Sequence, residues 1–203
     1  MSPAKLILST IVEGDGEVVA FPILLRRIAA WLSPGLVVEV PRPFQVKRDR
    51  FVNKADQRER AIRFASLRGT PENSAILVLI DADQDCPAQL GPRLLHAIQS
   101  SRPDYRHAMI LAKCEYEAWF LAAAASLRGK RNFVDDLEIP PDPEAIQGAK
   151  EWIKRHRTDK KYSAVLDQPA LSHLMSLSEA RQRSPSFDKL CRDLEALFRG
   201  TNG

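Results

Sequence analysis

The stretch Ile76-Leu77-Val78-Leu79-Ile80-Asp81-Ala82-Asp83 decides the fold class. Five consecutive aliphatic residues, too short a run for a helix of ordinary length and without a polar position, predict a strand buried on both faces, as in a parallel sheet covered by helices. Asp81 and Asp83 then stand at its carboxyl end. In an open α/β sheet that end faces the crevice where ligands bind, so carboxylates placed there are candidates for holding a hard cation such as Mg²⁺. They would serve equally well as caps for the turn and helix that follow.

Working outward, residues 5–12 read as a strand that runs into the tight turn Glu13-Gly14-Asp15-Gly16-Glu17 and then an amphipathic helix over 18–32, with Pro22 tolerated near its start. Residues 36–40 are a second strand, 41–51 a basic, proline-bearing loop, and 54–67 a helix for which Asn53 is a candidate N-cap. Beyond the central strand come a helix over 88–100, a strand over 106–112 and an alanine-rich helix ending near Leu127. Strand and helix thus alternate four times, which predicts an α/β fold with a mostly parallel sheet flanked by helices. After Arg128 the texture changes. An acidic, proline-bearing connector over 135–144 leads to helices over 145–157, 170–181 and 187–198, so residues 1–130 form a core and 131–203 a helical C-terminal extension packed on it.

A chain of 203 residues can bury a sizeable core without disulfide staples. Cys86, Cys114 and Cys191 are odd in number and widely spaced, which argues against a disulfide framework or a zinc site. No apolar run approaches the roughly 20 residues of a membrane span, and the apolar start is cut short by Glu13, so a cytoplasmic protein is expected. The net charge of +4 is mildly basic, but its distribution is uneven. Arg42, Lys47, Arg48, Arg50 and Lys54 head one cluster, which continues to Arg68, and Lys150 to Lys161 hold another. Each is either a surface for a polyanion or a solvated helix face.

Three acidic pairs fall where three strands hand over to the next segment: Glu13 with Glu17, Asp81 with Asp83, and Glu115 with Glu117. If those strands are parallel neighbours, six carboxylates converge on one sheet edge, and such a cluster stays ionised only if cations neutralise it. Two divalent ions about 3.5–4 Å apart would suit phosphodiester cleavage. The glycines of the first turn are not the dinucleotide-binding fingerprint, since the third glycine is missing and Pro22 intrudes.

In this order the motifs Ile11-Val12-Glu13-Gly14-Asp15-Gly16-Glu17, Ile80-Asp81-Ala82-Asp83 and Glu115-Tyr116-Glu117-Ala118-Trp119 resemble the TOPRIM domain, in the variant found in OLD-family nucleases and related short bacterial proteins. The resemblance extends to Gly148-Ala149-Lys150-Glu151-Trp152, to Tyr162 with Asp167 and Gln168, and to Ser186-Phe187. It implies a Mg²⁺- or Mn²⁺-dependent nuclease, with Glu13 as general acid/base and metal ligand, and Glu17, Asp81, Asp83, Glu115 and Glu117 as further ligands. OLD nucleases tend to carry Ser at the position of Glu115, which favours Glu117 of that pair. Lys150 matches a catalytic lysine that steadies the phosphate. The basic segment with Arg42, Lys47, Arg48, Arg50 and Lys54 would track the nucleic-acid backbone, DNA being the expected substrate. The chain carries no Walker-type GxxxxGK[ST], so any ATP-driven step falls to a separately encoded ATPase, and the resemblance implies a phage-defence setting. The alternative is a non-catalytic adaptor that binds such an ATPase, or nucleic acid, without cutting. Trp119 and Trp152 read as core residues, and the four histidines have no ligand partner at helical spacing.

Overall fold

Residues 5–200 are described by the computed structural model. Its sheet is wholly parallel: β1 (Lys5–Val12), β2 (Val37–Glu39), β3 (Phe44–Gln45), β4 (Ser74–Asp81) and β5 (Arg106–Ala112) lie in the order β2-β1-β4-β5, with β3 beside the carboxyl end of β1. The α/β class with a mostly parallel, helix-flanked sheet is therefore what this chain adopts. β4 is buried from Ser74 to Ile80, and its alternate residues serve two different cores. Ala75, Leu77 and Leu79 pack into one cluster and Ile76, Val78 and Ile80 into the other, which explains why the stretch shows no polar position.

Helices α2 (Arg48–Asn53), α3 (Ala55–Ser66) and α4 (Pro87–Ser101) supply residues to the second cluster, on one face of the sheet. The other face is covered by α1 (Asp15–Leu32), α5 (Ala118–Ala122), α6 (Ala124–Leu127) and the later helices α7 (Ala149–Arg155), α8 (Ala164–Leu174), α9 (Leu177–Arg183) and α10 (Pro185–Arg199). Leu171, Met175, Phe187, Leu190 and Leu194 share one continuous core with Leu8 and Leu77. The C-terminal helices thus complete the cover of the sheet.

β1 leads through α1 to β2 on one side, whereas β4 pairs with β1 on the other. The carboxyl ends of β1 and β4 therefore flank a switch point, the place in an open parallel sheet where a ligand crevice forms.

Several boundaries differ from the sequence reading for local reasons. The loop expected over 41–51 contains β3 and α2, because Phe44 pairs with Ile11 and Phe51 is fully buried; the prolines and charges around them hide this. Asn53 closes α2, and Lys54 is the cap residue between α2 and α3. The alanine-rich helix is broken at Ala123 into α5 and α6. The helix expected from 145 begins only after Gly148, which adopts φ 71°, a left-handed conformation suited to glycine. The segment expected as helix over 170–181 is α8 and α9, divided where the Ser176 hydroxyl accepts the Glu179 N–H at 3.2 Å and caps the new helix. Trp119 is a core residue as expected, its indole N–H donating to Ser186 Oγ at 2.8 Å. The three cysteines are free thiols. Among the described residues no helix is long and apolar enough to cross a membrane.

Candidate metal centre

The three acidic motifs meet at the switch point, each held by its own local device. After β1 the chain turns at Gly14, and the Glu17 side chain folds back so that Oε2 accepts the backbone N–H of Glu13 at 3.2 Å and of Gly14 at 2.8 Å. This capping arrangement buries Glu17 to 7% exposure. Gly16 allows α8 to cross close by: a Cβ there would meet Gln168 Oε1 at 2.1 Å and the Ala164 carbonyl at 2.7 Å.

At the end of β4, Asp81 Oδ1 accepts the Tyr116 N–H at 2.8 Å and ties this motif to the third. Asp83 has φ 49°, and the loop is gripped by Arg48, whose Nε donates to the Asp81 carbonyl at 2.9 Å and lies 3.2 Å from Asp83 Oδ2. The same guanidinium also bonds the Ala82 carbonyl and pairs with Asp85. Beyond β5, Glu117 is fully buried, and its Oε1 accepts the Tyr162 hydroxyl at 2.7 Å and Gln168 Nε2 at 2.9 Å. Lys150 Nζ lies 3.3 Å from both Glu115 Oε2 and Glu117 Oε2.

The charges feel one another across the three motifs. Burial, then Glu17 and Glu117, push the Asp81 carboxyl well above the usual carboxylate range, with Lys150 opposing. Glu13 is raised by burial and by Glu17 and Asp83, against Arg48 and Lys47. Glu17 is raised by burial and by Glu117, despite its backbone hydrogen bonds. Burial lowers the Lys150 pKa, but Glu117, Glu115 and Asp81 more than offset it and hold it above normal.

The six carboxylates thus form an inner group of Glu13, Glu17, Asp81 and Glu117 and two outlying members, Asp83 drawn toward Arg48 and Glu115 joined through Lys150. Among the described residues no three His, Cys, Asp or Glu side chains already stand as a group that could hold a metal ion. The donor chemistry nevertheless suits a hard cation. Glu13 Oε2, Glu115 Oε2 and Glu117 Oε2 are buried without a hydrogen-bond partner, the last two meeting only the Lys150 charge. Orphaned carboxylate oxygens of this kind are costly unless a cation meets them.

Of the basic residues singled out, Arg42, Lys47, Arg50 and Lys54 are exposed and make no ion pair among the described residues. Arg48 is different. With 14% side-chain exposure and four acceptors on the acidic loop, it is a pin for the DxD turn and is not free to track a phosphate backbone. Sequence reasoning gave no role to Tyr162 and Gln168, the two donors that orient Glu117. The signal was slight, because the contact depends on α8 folding back across α1, 45 and 51 residues along the chain from Glu117. α8 itself is fixed by a buried pair, Arg157 Nη1 with Asp167 Oδ1 at 2.9 Å.

No curated protein and no solved structure matches this chain. The family model described as a domain of unknown function, DUF4276, matches residues 12–195, a span that takes in every carboxylate of the cluster, Lys150 and the helices covering them. The chain therefore belongs to the DUF4276 family.

Proposed function

We propose that this protein is a divalent-metal-dependent nuclease that hydrolyses phosphodiester bonds of nucleic acid, DNA in the first place. The observation that carries the reading is the gathering of Glu13, Glu17, Asp81 and Glu117 at the switch point of a parallel sheet, with buried carboxylate oxygens left unpartnered. Glu13, Glu17, Asp81, Asp83 and Glu117 would hold Mg²⁺ or Mn²⁺, with Glu115 at the margin. Two such ions, when bound, supply an activated water and offset the charge on the attacking and leaving oxygens. Within the protein, Glu13 has a raised proton affinity and a free buried oxygen, the properties of a general acid/base. Lys150 stays charged and is partly exposed, so its ammonium is available to steady a phosphate. Tyr162, Gln168 and Arg48 orient the carboxylates. The two-ion form follows the resemblance of the three acidic motifs to TOPRIM nucleases, and an ATP-driven step would require a separately encoded ATPase.

One observation favours a second reading, a non-catalytic adaptor for nucleic acid or an ATPase. Lys150 already neutralises part of the cluster from within, as an internal cation could do in a protein that needs no metal. A plasmid-nicking assay separates the two. Purified protein with Mn²⁺ is expected to relax supercoiled plasmid, EDTA to stop it, and Asp81→Asn to abolish it. Cleavage absent from the wild type at every Mn²⁺ and Mg²⁺ concentration, or undiminished in Asp81→Asn, sinks the nuclease.

A further inference from the structure

Beside the carboxylates a groove of about 500 Å³ runs between β3 and α3, lined by Phe44, Lys47, Arg50, Arg60 and Phe64 among others. Its two aromatic rings lie 5.8 Å apart and 24° from parallel, and Phe64 is 39% exposed. Part of the Phe64 ring is therefore open to solvent along the groove. Guanidinium groups flank both rings, Arg60 5.5 Å from the Phe64 centroid and Arg68 5.2 Å from that of Phe44. Lys47, Arg50 and Arg60 are exposed and make no ion pair among the described residues. The one acid on the lining, Asp15, is occupied by Gln45 Nε2 at 2.8 Å. The same Gln45 side chain donates to the Glu13 carbonyl at 3.2 Å, so the groove opens directly beside the first acidic motif.

Rings interleaved with unpaired cations match the chemistry of an unpaired nucleotide: the base offers a π-face and the flanking phosphates offer negative charge. A duplex presents phosphates but keeps its bases stacked on one another, so it could use the cations of this groove and not its rings. We propose that the Phe44–Phe64 groove seats an unpaired base of single-stranded DNA, with Lys47, Arg50 and Arg60 on the phosphates to either side. The groove rests on the nuclease reading for its purpose and supplies its substrate class, a single strand or a frayed end delivered toward Glu13. Stacking of this kind tolerates any base, so the groove selects strandedness and not sequence.

Binding measured without metal separates this inference from the reaction. Fluorescence anisotropy of a labelled oligo(dT) and of a duplex of equal length, both in EDTA, is expected to show tighter binding of the single strand. Phe64→Ala should weaken the single strand by about tenfold or more, the range reported by base–aromatic stacking, and leave the duplex within about twofold. Phe64→Trp should retain single-strand binding, and circular dichroism of both variants at the assay temperature should match the wild type. The inference is overturned if Phe64→Ala weakens both ligands alike, if it weakens neither, or if the duplex binds as tightly as the single strand. Because no cleavage is involved, ring-dependent binding by a protein that cleaves neither plasmid nor single-stranded DNA with Mn²⁺ would retain the groove and remove the nuclease.

Discussion

Two basic regions look alike in the sequence and do opposite things in the structure. Over 42–64 the cations Arg42, Lys47, Arg50, Lys54 and Arg60 stand exposed and without ion pairs among the described residues, and Lys47, Arg50 and Arg60 line a groove with aromatic walls. Over 150–161 four of the basic side chains lie against acids of the chain itself, while Arg155, Lys160 and Lys161 stay exposed without an ion pair among the described residues. Lys150 meets Glu115 and Glu117, Lys154 meets Glu151, His156 lies 3.9 Å from Glu138, and Arg157 is buried against Asp159 and Asp167. The first region presents unpaired charge at the surface, while the second holds α7 and α8 over the carboxylates. What separates them is the acids alongside, Glu151 and Asp159 from the same segment and Glu115, Glu117 and Glu138 from earlier ones.

The largest effect expected from this contrast is on stability. Arg157→Ala leaves Asp167 buried with weaker partners, and breaking a buried ion pair from one side costs about 3–5 kcal/mol. Chemical denaturation should register that loss, and α8 should lose amide protection first. Arg50→Ala, on the open side, should stay within about 0.5 kcal/mol of the wild type. Equal costs would erase the distinction between the regions.

A second effect is read in salt. Lys47→Ala with Arg50→Ala should lower the slope of log affinity for single-stranded DNA against log salt by about 1.4, roughly 0.7 per lost phosphate contact. Lys154→Ala, at a lysine already paired with Glu151, should leave the slope unchanged, and a slope that responds to it would show that both regions face the ligand.

The smallest effect is a pH dependence. Asp81 has a folded-state pKa well above its unfolded value of about 4, so its favourable contribution is complete below that unfolded value and is lost as pH rises through the folded one. In EDTA, wild type and Asp81→Asn should melt at similar temperatures near pH 4, with the wild type falling behind the variant as pH rises toward neutrality. Asn preserves the Oδ1 acceptor for the Tyr116 N–H, so the difference reports charge and not a lost hydrogen bond. A gap that stays constant with pH would mean that neither burial nor the neighbouring carboxylates raise the Asp81 pKa.

Much of the fold was legible because it rests on local pattern. The apolar run of β4 and its two aspartates announce a parallel sheet with an acidic crevice, and Glu13, Glu17 and Glu117 fall where strand ends place them. Two things escaped. Phe44 and Phe51 sit among prolines and charges, so β3, α2 and the groove they build carry no periodic signal. The partners of Glu117 and the fate of Arg48 depend on long-range crossings, α8 over α1 and α2 beside the β4 loop, that no spacing encodes. The six carboxylates do not share one point, because Asp83 is drawn toward Arg48 and Lys150 stands between Glu115 and Glu117.

The claim on which the account turns is that the inner carboxylates take up a divalent cation, and thermal melting with Mn²⁺ tests it without any substrate. At about 100 times its dissociation constant a bound ion adds about 2.7 kcal/mol, which for a domain of this size raises the melting temperature by roughly 5–10 °C. The wild type should show that rise over EDTA, and Asp81→Asn and Glu117→Gln should lose most of it, with Asp81→Asn melting no lower than the wild type in EDTA. A wild-type melt unmoved by millimolar Mn²⁺, or a rise of the same size in both variants, would contradict the metal centre.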